Sequence, residues 1–229
     1  MIDFHSHILP QIDDGSKSVE QTRQMLKLAA DQGVRYMVAT PHFYGDRMMP
    51  LEFLEKRQRA FDRVMDERIE PALGLGAEVY YFDNMSRSDD MQKLQINDTG
   101  LILVEMPFGE WTDRMVTDVC HLQDRLGLTP VLAHIERYRN RDQFPRYRDW
   151  LLSEGVLMQV NAGSFGLIRT GFWLRQQLKK GCVHFLGSDC HNLTTRPPNM
   201  ETAARGIEKR FGKEILQDIM DFSAQALGI

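Results

Sequence analysis

Short apolar, β-branched runs alternate with amphipathic stretches from one end of the chain to the other. The runs predict strands at Ile2–His5, Tyr36–Thr40, Ala72–Glu78, Leu101–Glu105, Pro130–His134, Leu157–Asn161 and Val183–Ser188. Lys93–Ile96 is a candidate for a small extra strand. Between the runs, apolar residues recur at helical spacing, as in Val19, Thr22, Leu26, Ala29 and Ala30. Ser18-Val19-Glu20-Gln21 has the form of a capping box and sets where that first helix begins. Ile215, Ile219, Phe222 and Ala226 give the last helix one apolar stripe, followed by Gly228. Seven strand-then-helix units without a Gly/Ser linker, repeat or low-complexity tract predict one α/β domain over residues 1–229. The expected architecture is a parallel barrel of about seven strands rather than the usual eight.

Composition narrows the classes of function. The chain has 229 residues, 42% hydrophobic and 26% charged, enough to bury a core without disulfide or metal staples. With 28 basic against 32 acidic residues and a net charge of −4, a nucleic-acid backbone is not the expected partner, because counterion release needs clustered Lys and Arg. Asp3, His5 and His7 interrupt the N-terminus where a signal peptide would be apolar. No apolar run approaches the ~18 residues that span a bilayer, so no membrane insertion is expected. Cys120, Cys182 and Cys190 form no CxxC pair, and an odd count suits a reducing, cytoplasmic setting.

The placement of polar residues is more telling. His5, His7, His42, Glu78, Glu105, His134, Asn161, Asp189 and His191 all fall at or just past a predicted strand's C-terminal end. In a barrel those ends converge on one mouth, where active sites are built. His5 and His7, at i and i+2, point the same way along a strand. Asp189 and His191 do likewise if their strand runs that far. His121 falls in a predicted helix and His184 inside a strand, so neither joins the set. Taken singly, each residue has a plain structural reading, such as a hydrogen-bonded histidine or a turn at Asp13-Asp14-Gly15. Together they imply a cation, since this many unpaired ionisable groups buried in one place would be severely destabilising. Convergent His and carboxylate without thiolate suits Mn²⁺, Zn²⁺ or Fe.

The ordered segments HSHILPQIDDG, TPHF, GAEVYY, LVEMPF, AHIERY, NAGS and GSDCH resemble the polymerase and histidinol phosphatase superfamily. Within it they are similar to the manganese-dependent tyrosine-protein phosphatases of bacterial capsule and exopolysaccharide operons. The matches run from Met1 to about Pro198. The resemblance implies a distorted parallel (β/α)7-type barrel holding up to three divalent metals, most readily Mn²⁺. His5, His7 and Asp189 would hold the first, and Glu78 would bridge it to a second completed by Glu105 and His134. Asp14, His42 and His191 would hold the third, with Asp13 the alternative to Asp14. Asn161 would support the set from behind. Relatives outside this branch often carry histidine where Glu105 and Asp14 stand, which favours the tyrosine-phosphatase branch. Arg137 and Arg196 match positions that the family uses to grip phosphate, as planar guanidinium groups do.

The implied reaction is hydrolysis of phosphotyrosine by a metal-activated hydroxide, with no covalent phosphoenzyme. The implied partner is a bacterial tyrosine autokinase that controls polysaccharide assembly. Tyr44, Met48 and Met49, after His42, are candidates for contact with the substrate, although Met48 and Met49 equally suit ordinary packing beside Pro50 and Leu51. Cys190 and Arg196 also satisfy the C-x5-R spacing of cysteine-dependent phosphatases. Their loop lacks glycine, and Pro197-Pro198 follow where a helix should open, so the spacing reads as coincidence. Two alternatives are a small-molecule phosphomonoesterase, such as a histidinol phosphatase, and a non-catalytic kinase-docking protein with a vestigial metal site.

Overall fold

The computed structural model describes residues 1–65 and 70–229. The first strands are β1 (Ile2–Ser6), β2 (Tyr36–Ala39), β3 (His42–Tyr44), β4 (Ala72–Leu75) and β5 (Glu78–Tyr80). They are followed by β6 (Leu101–Glu105), β7 (Thr129–Leu132), β8 (Leu157–Asn161) and β9 (Phe185–Gly187). All pairings are parallel, in the orders β1-β2-β4 and β3-β5-β6-β7-β8-β9. These two sets form one barrel. The Gly76 N–H donates to Ala39 O (2.9 Å) and the Glu78 N–H to Pro41 O (3.0 Å), so the ladder of β2 with β4 continues into that of β3 with β5. At the other edge, Asp189 N–H donates to His5 O (2.8 Å) and His7 N–H to Cys190 O (2.9 Å), which joins β9 to β1. Counting β2–β3 and β4–β5 as two bent lines, seven lines close the ring.

The bends correct two expected strands. Tyr36–Thr40 ends at Ala39, because Pro41 has no N–H to give the ladder, and the line resumes as β3. Ala72–Glu78 is interrupted at Gly76-Ala77, where a Cβ on Gly76 would lie 2.7 Å from Ile96 Cγ1. His42 and Glu78 therefore open the outer halves of bent lines instead of ending strands. Lys93–Ile96 is not a strand: Asp89–Leu94 forms a 3-10 helix, with Met91 and Leu94 buried. The strand expected at Val183–Ser188 shortens to Phe185–Gly187, so His184 precedes it and Asp189 and His191 lie beyond it.

The helices are α1 (Val19–Asp31), α2 (Pro50–Asp62), α3 (Asp113–Leu126), α4 (Phe144–Ser153), α5 (Ile168–Lys179), α6 (Met200–Phe211) and α7 (Lys213–Leu227). Ser18 caps α1 by accepting from the Gln21 N–H at 3.1 Å, while the Gln21 side chain reaches back to the Lys17 N–H at 2.7 Å instead of to Ser18. The α7 stripe lies one position round from the expected one. Leu216, Ile219, Met220 and Leu227 are buried, and Phe222 sits at the edge against His184 and Phe185. Between β1 and β9 the rings of Phe4 and Phe185 stack 3.9 Å apart. None of the described helices is long and apolar enough to cross a membrane.

Candidate metal centre

Two backbone features build the floor of the mouth. Residues after β1 fold back so that the Ser16 N–H donates to His7 O at 3.0 Å, and a Cβ on Gly15 would sit 2.1 Å from that oxygen. Only glycine fits there, and the turn delivers Asp13 and Asp14 beside His7. Thr22 Oγ1 of α1 then ties the same loop down through Ile8 O at 2.7 Å. On the far side, His134 and Asp189 both hold left-handed backbones, with φ of 33° and 53°. For residues other than glycine such conformations cost about 1–3 kcal/mol each and cluster at functional sites.

The structure brings all of the expected metal residues together. His5 Nε2 and His7 Nε2 lie 3.1 Å apart, both turned toward the same carboxylates. Glu78 Oε2 is 3.4 Å from His5 Nε2, 3.2 Å from His7 Nε2 and 2.9 Å from His42 Nδ1. Its other oxygen, Oε1, is 2.9 Å from His134 Nε2, which is also 3.3 Å from Glu105 Oε1. Asp189 Oδ1 stands 3.7 Å from His5 Nε2 and 3.5 Å from His7 Nε2. Asp14 Oδ1 is 3.5 Å from His42 Nε2 and 3.3 Å from His191 Nε2. Three sets have ligand atoms mutually within 4.8 Å: His5, His7 and Asp189; His42, Glu78 and Glu105; and His7, Asp14, His42 and His191.

This donor set fits divalent cations. Glu78 Oε2, His42 Nδ1 and His191 Nε2 are buried, yet none has a hydrogen-bond partner among the described residues. An unsatisfied buried polar atom costs about 1–3 kcal/mol, and here several face one another. Burial alone would raise the Glu78 carboxyl, but His5, His134 and His42 hold it well below the ordinary carboxylate range. Asp189 is lowered likewise, against burial, by His5, Arg137 and His7. Burial opposes charge on His7, yet Asp13 and Glu78 raise it well above its ordinary value. His134 rises to about 9 against its burial through Glu105 and Glu78. His42 is raised by Glu78 in the same way, whereas burial lowers His191. His191, 3.3 Å away, lowers Asp14, with His42 and His7 adding to it. Protons on these imidazoles stand where cations would neutralise the carboxylates, so metal binding releases protons.

Behind these residues lies a polar layer that orients them. His7 Nδ1 is 2.8 Å from Asp13 Oδ2, which also accepts from the His42 N–H at 3.0 Å, while Oδ1 accepts from the Gly15 N–H at 2.8 Å. Both oxygens of Asp13 are thereby occupied, whereas Asp14 Oδ1 faces His42 Nε2 and His191 Nε2. Gln159, which the sequence reading passed over, accepts from His134 N–H (2.7 Å) and faces His5 Nδ1 (3.2 Å). It donates to Asn161 Oδ1 at 3.0 Å, and Asn161 Nδ2 donates to Asp189 Oδ2 at 2.7 Å. With Nδ1–H engaged, both His5 and His7 present an Nε2 lone pair to the cluster. A polar pair at i, i+2 in the apolar run Leu157–Asn161 was the available signal.

Arg137 and Arg196 approach Asp189 from its two oxygens. Arg137 donates to Oδ2, and Arg196 stands 2.7 Å from Oδ1. Arg137 keeps 32% of its side chain exposed at the mouth. Tyr138 locks its turn to the residue after Glu105, donating to Met106 O at 2.8 Å and accepting from the Met106 N–H at 3.1 Å. Cys190 is fully buried, and its thiol is pushed up by burial and by Asp3. The N–H groups of Thr194, Thr195 and Arg196 all donate to Asn192 Oδ1, so they cannot cradle a phosphate on Cys190. Neither proline opens α6, which starts at Met200.

Along β3 and β5 the paired positions are His42 with Glu78 and, one step outward on the same face, Tyr44 with Tyr80. The tyrosine rings are 5.6 Å apart. After β6, the ring of Phe108, 49% exposed, lies nearly parallel to that of His134 at 6.4 Å. Met48 lines a cavity of about 380 Å³ beside Asp14 and Tyr44, whereas Met49 is 69% exposed and precedes α2.

The family model for capsular polysaccharide synthesis proteins, CpsB/CapC, matches residues 1–227. The chain belongs to this family. It is 32% identical over 222 residues to the tyrosine-protein phosphatase YwqE of Bacillus subtilis, covering 94% of this chain and 87% of that one. It is 30% identical to the tyrosine-protein phosphatase CpsB of Streptococcus pneumoniae, covering 96% and 94%. A solved structure from work on YwqE and CpsB, described as metal-dependent tyrosine phosphatases, superposes with a TM-score of 0.86 at 29% identity, covering 100% of this chain and 94% of that one. A β-aspartyl dipeptidase from Fervidobacterium islandicum, at 11% identity and a TM-score of 0.53, shares the fold alone.

Proposed function

We propose that this chain is a metal-dependent protein-tyrosine phosphatase of a capsule or exopolysaccharide system. Its metal ligands are His5, His7, Asp14, His42, Glu78, Glu105, His134, Asp189 and His191, and its phosphate grips are Arg137 and Arg196. The observation that carries the reading is Glu78 Oε2, buried without a hydrogen-bond partner among the described residues and ringed by three imidazole nitrogens. Bound there, divalent cations supply a water acidified from 15.7 towards ~7 and positive charge for the phosphate oxygens. Asp13 and Gln159 keep His7 and His5 in the ligating tautomer. Arg137 and Arg196 orient a monoester through guanidinium N–H groups and balance the charge that develops on its oxygens. A tyrosyl phenol, with pKa near 10, leaves more readily than an alkoxide and needs less help from a general acid. Tyr44, Tyr80 and Phe108 receive its ring.

Mn²⁺ is the cation we assign, although the same N/O set accepts Zn²⁺ or Fe. The substrate we assign is a cytoplasmic tyrosine autokinase, and the whole chain acts as one domain. The deciding assay measures hydrolysis of p-nitrophenyl phosphate and a phosphotyrosine peptide after chelation, with and without added Mn²⁺. Activity should vanish on chelation, return with metal, and survive thiol alkylation and Cys190→Ser. Activity indifferent to chelator but lost on alkylation would overturn the proposal. Faster turnover of small phosphates than of the peptide would move the substrate to the small-molecule class.

A further inference from the structure

On the outer wall, the chain leaving β5 and the helix following β6 enclose a second cavity of about 210 Å³. Arg87 reaches it from the 3-10 turn Met85–Arg87, and Arg114, Thr117, His121 and Arg125 reach it from α3. Those α3 residues are spaced i, i+3, i+7 and i+11, which makes one stripe along the helix. Elsewhere on the surface, arginines meet carboxylates: Arg59 meets Glu55 at 3.4 Å and Arg146 meets Asp113 at 2.9 Å. Among the described residues, Arg87, Arg114 and Arg125 have no carboxylate within 4.0 Å. The one acid in the lining, Asp118, is held by the Ser86 hydroxyl at 2.5 Å. Three guanidinium groups against one buried carboxylate leave the concavity with an excess of positive charge, a surface complementary to an anion.

The location selects the anion. The same β5 that carries Glu78 runs on to Asn84 at the pocket rim. Six residues at the extended limit place that rim within about 20 Å of the metal residues. A peptide held at the mouth by its phosphotyrosine spans that distance in about six residues. We propose that this pocket is a docking site for an acidic segment of the protein substrate, about six residues from the phosphotyrosine, recognised through Arg87, Arg114 and Arg125. The proposal rests on the phosphatase reading of the mouth. Exposed charges of this kind act through encounter and KM, and they fade with salt.

The test uses two phosphotyrosine peptides that carry three glutamates or three glutamines five to seven residues from the phosphotyrosine, with the block placed on either side. At low salt the metal-loaded enzyme should prefer one glutamate peptide by about three- to tenfold in KM, the size of two or three exposed ion pairs. The triple variant Arg87→Gln, Arg114→Gln, Arg125→Gln should lose the preference, and p-nitrophenyl phosphate turnover should stay unchanged. Replacement of the three by lysine should restore part of it. If the triple variant is misfolded by circular dichroism, Arg87→Gln alone, on an exposed turn, should lower the preference. A wild-type enzyme that treats the peptides alike, or a preference that survives in the variants, overturns the proposal. If the wild type turns over no monoester, the mouth reading fails separately. Fluorescence anisotropy of an unphosphorylated glutamate peptide then tests the pocket directly, with loss of binding in the Arg87→Gln variant expected and unaltered binding overturning it.

Discussion

Strand β1 has two halves that follow opposite rules. At its start, Ile2 and Phe4 pack against β9 and α7 and satisfy the usual demand that apolar surface leave water. From the irregularity between Asp3 and Ser6 onward, His5 and His7 are as deeply buried as Phe4, but they are titratable. The first half is self-sufficient, since its partners are other apolar side chains. The second half opens on a mouth that leaves Glu78 Oε2, His42 Nδ1 and His191 Nε2 unpartnered, and two residues nearby hold left-handed backbones. A barrel packed at its base can thus carry a mouth that is unsatisfied by protein atoms alone. What completes the mouth comes from solution.

The strongest way to break this contrast is Glu78→Gln, which removes the charge shared by all the surrounding imidazoles. Bound metal, measured by atomic absorption, should fall, and phosphatase activity should drop by more than the roughly 10–100-fold typical of losing an orienting partner. Circular dichroism should stay native, because the apolar half does not depend on Glu78. An unfolded variant would mean that the two halves are not separable. Next in size, Asp13→Ala should weaken metal affinity about 10–100-fold in chelator competition, since His7 loses the acceptor that orients it. Asp14→Ala should instead lower the number of metals bound. If the two variants exchange these effects, the roles of the adjacent carboxylates are reversed.

Much of this contrast was legible in the sequence. The strand-helix alternation and the HxH at the end of the first strand predicted a seven-line barrel with a polar mouth. The histidines set aside, His121 and His184, do lie outside the cluster: His121 lines the outer pocket, and His184 Nδ1 accepts from the Met158 N–H at 3.0 Å. The missing parts depend on distant partners. Which nitrogen of His5 faces Glu78 and Asp189 is set by Gln159, 154 residues away. That Asp13 meets His7 Nδ1 while Asp14 faces His42 and His191 follows from how Gly15 brings the turn onto His7 O. Phe108 carries no periodic signal, because its position follows from the packing of a loop on Tyr138. The bend at Gly76 hides inside an apolar run that reads as continuous, and β3 lies beyond Pro41, past the run that ends at Thr40.

Smaller effects sharpen the comparison at its edges. Tyr44→Ala and Phe108→Ala should each cut kcat/KM for a phosphotyrosine peptide by about two- to tenfold, the range of one aromatic contact. An alkyl phosphate, with no ring to hold, should be turned over as before. Equal losses on both substrates would mean that these rings shape the metal site and not the substrate's place.

The smallest effect belongs to the outer shell. Ser18 caps α1 through the Gln21 N–H, and Ser18→Ala should cost about 1 kcal/mol. For a chain of this size that is a fall in Tm of about 2–4 °C. Metal content and turnover should not change, because the loop bearing Asp13 and Asp14 is held by Thr22 to Ile8 O and by Ser16 to His7 O, not by the cap. A lowered Tm with unaltered metal binding would show that shell and mouth draw on separate interactions. A loss of metal along with the cap would mean that α1 transmits its end fraying into the ligand loop, and that the two regions are coupled through Thr22.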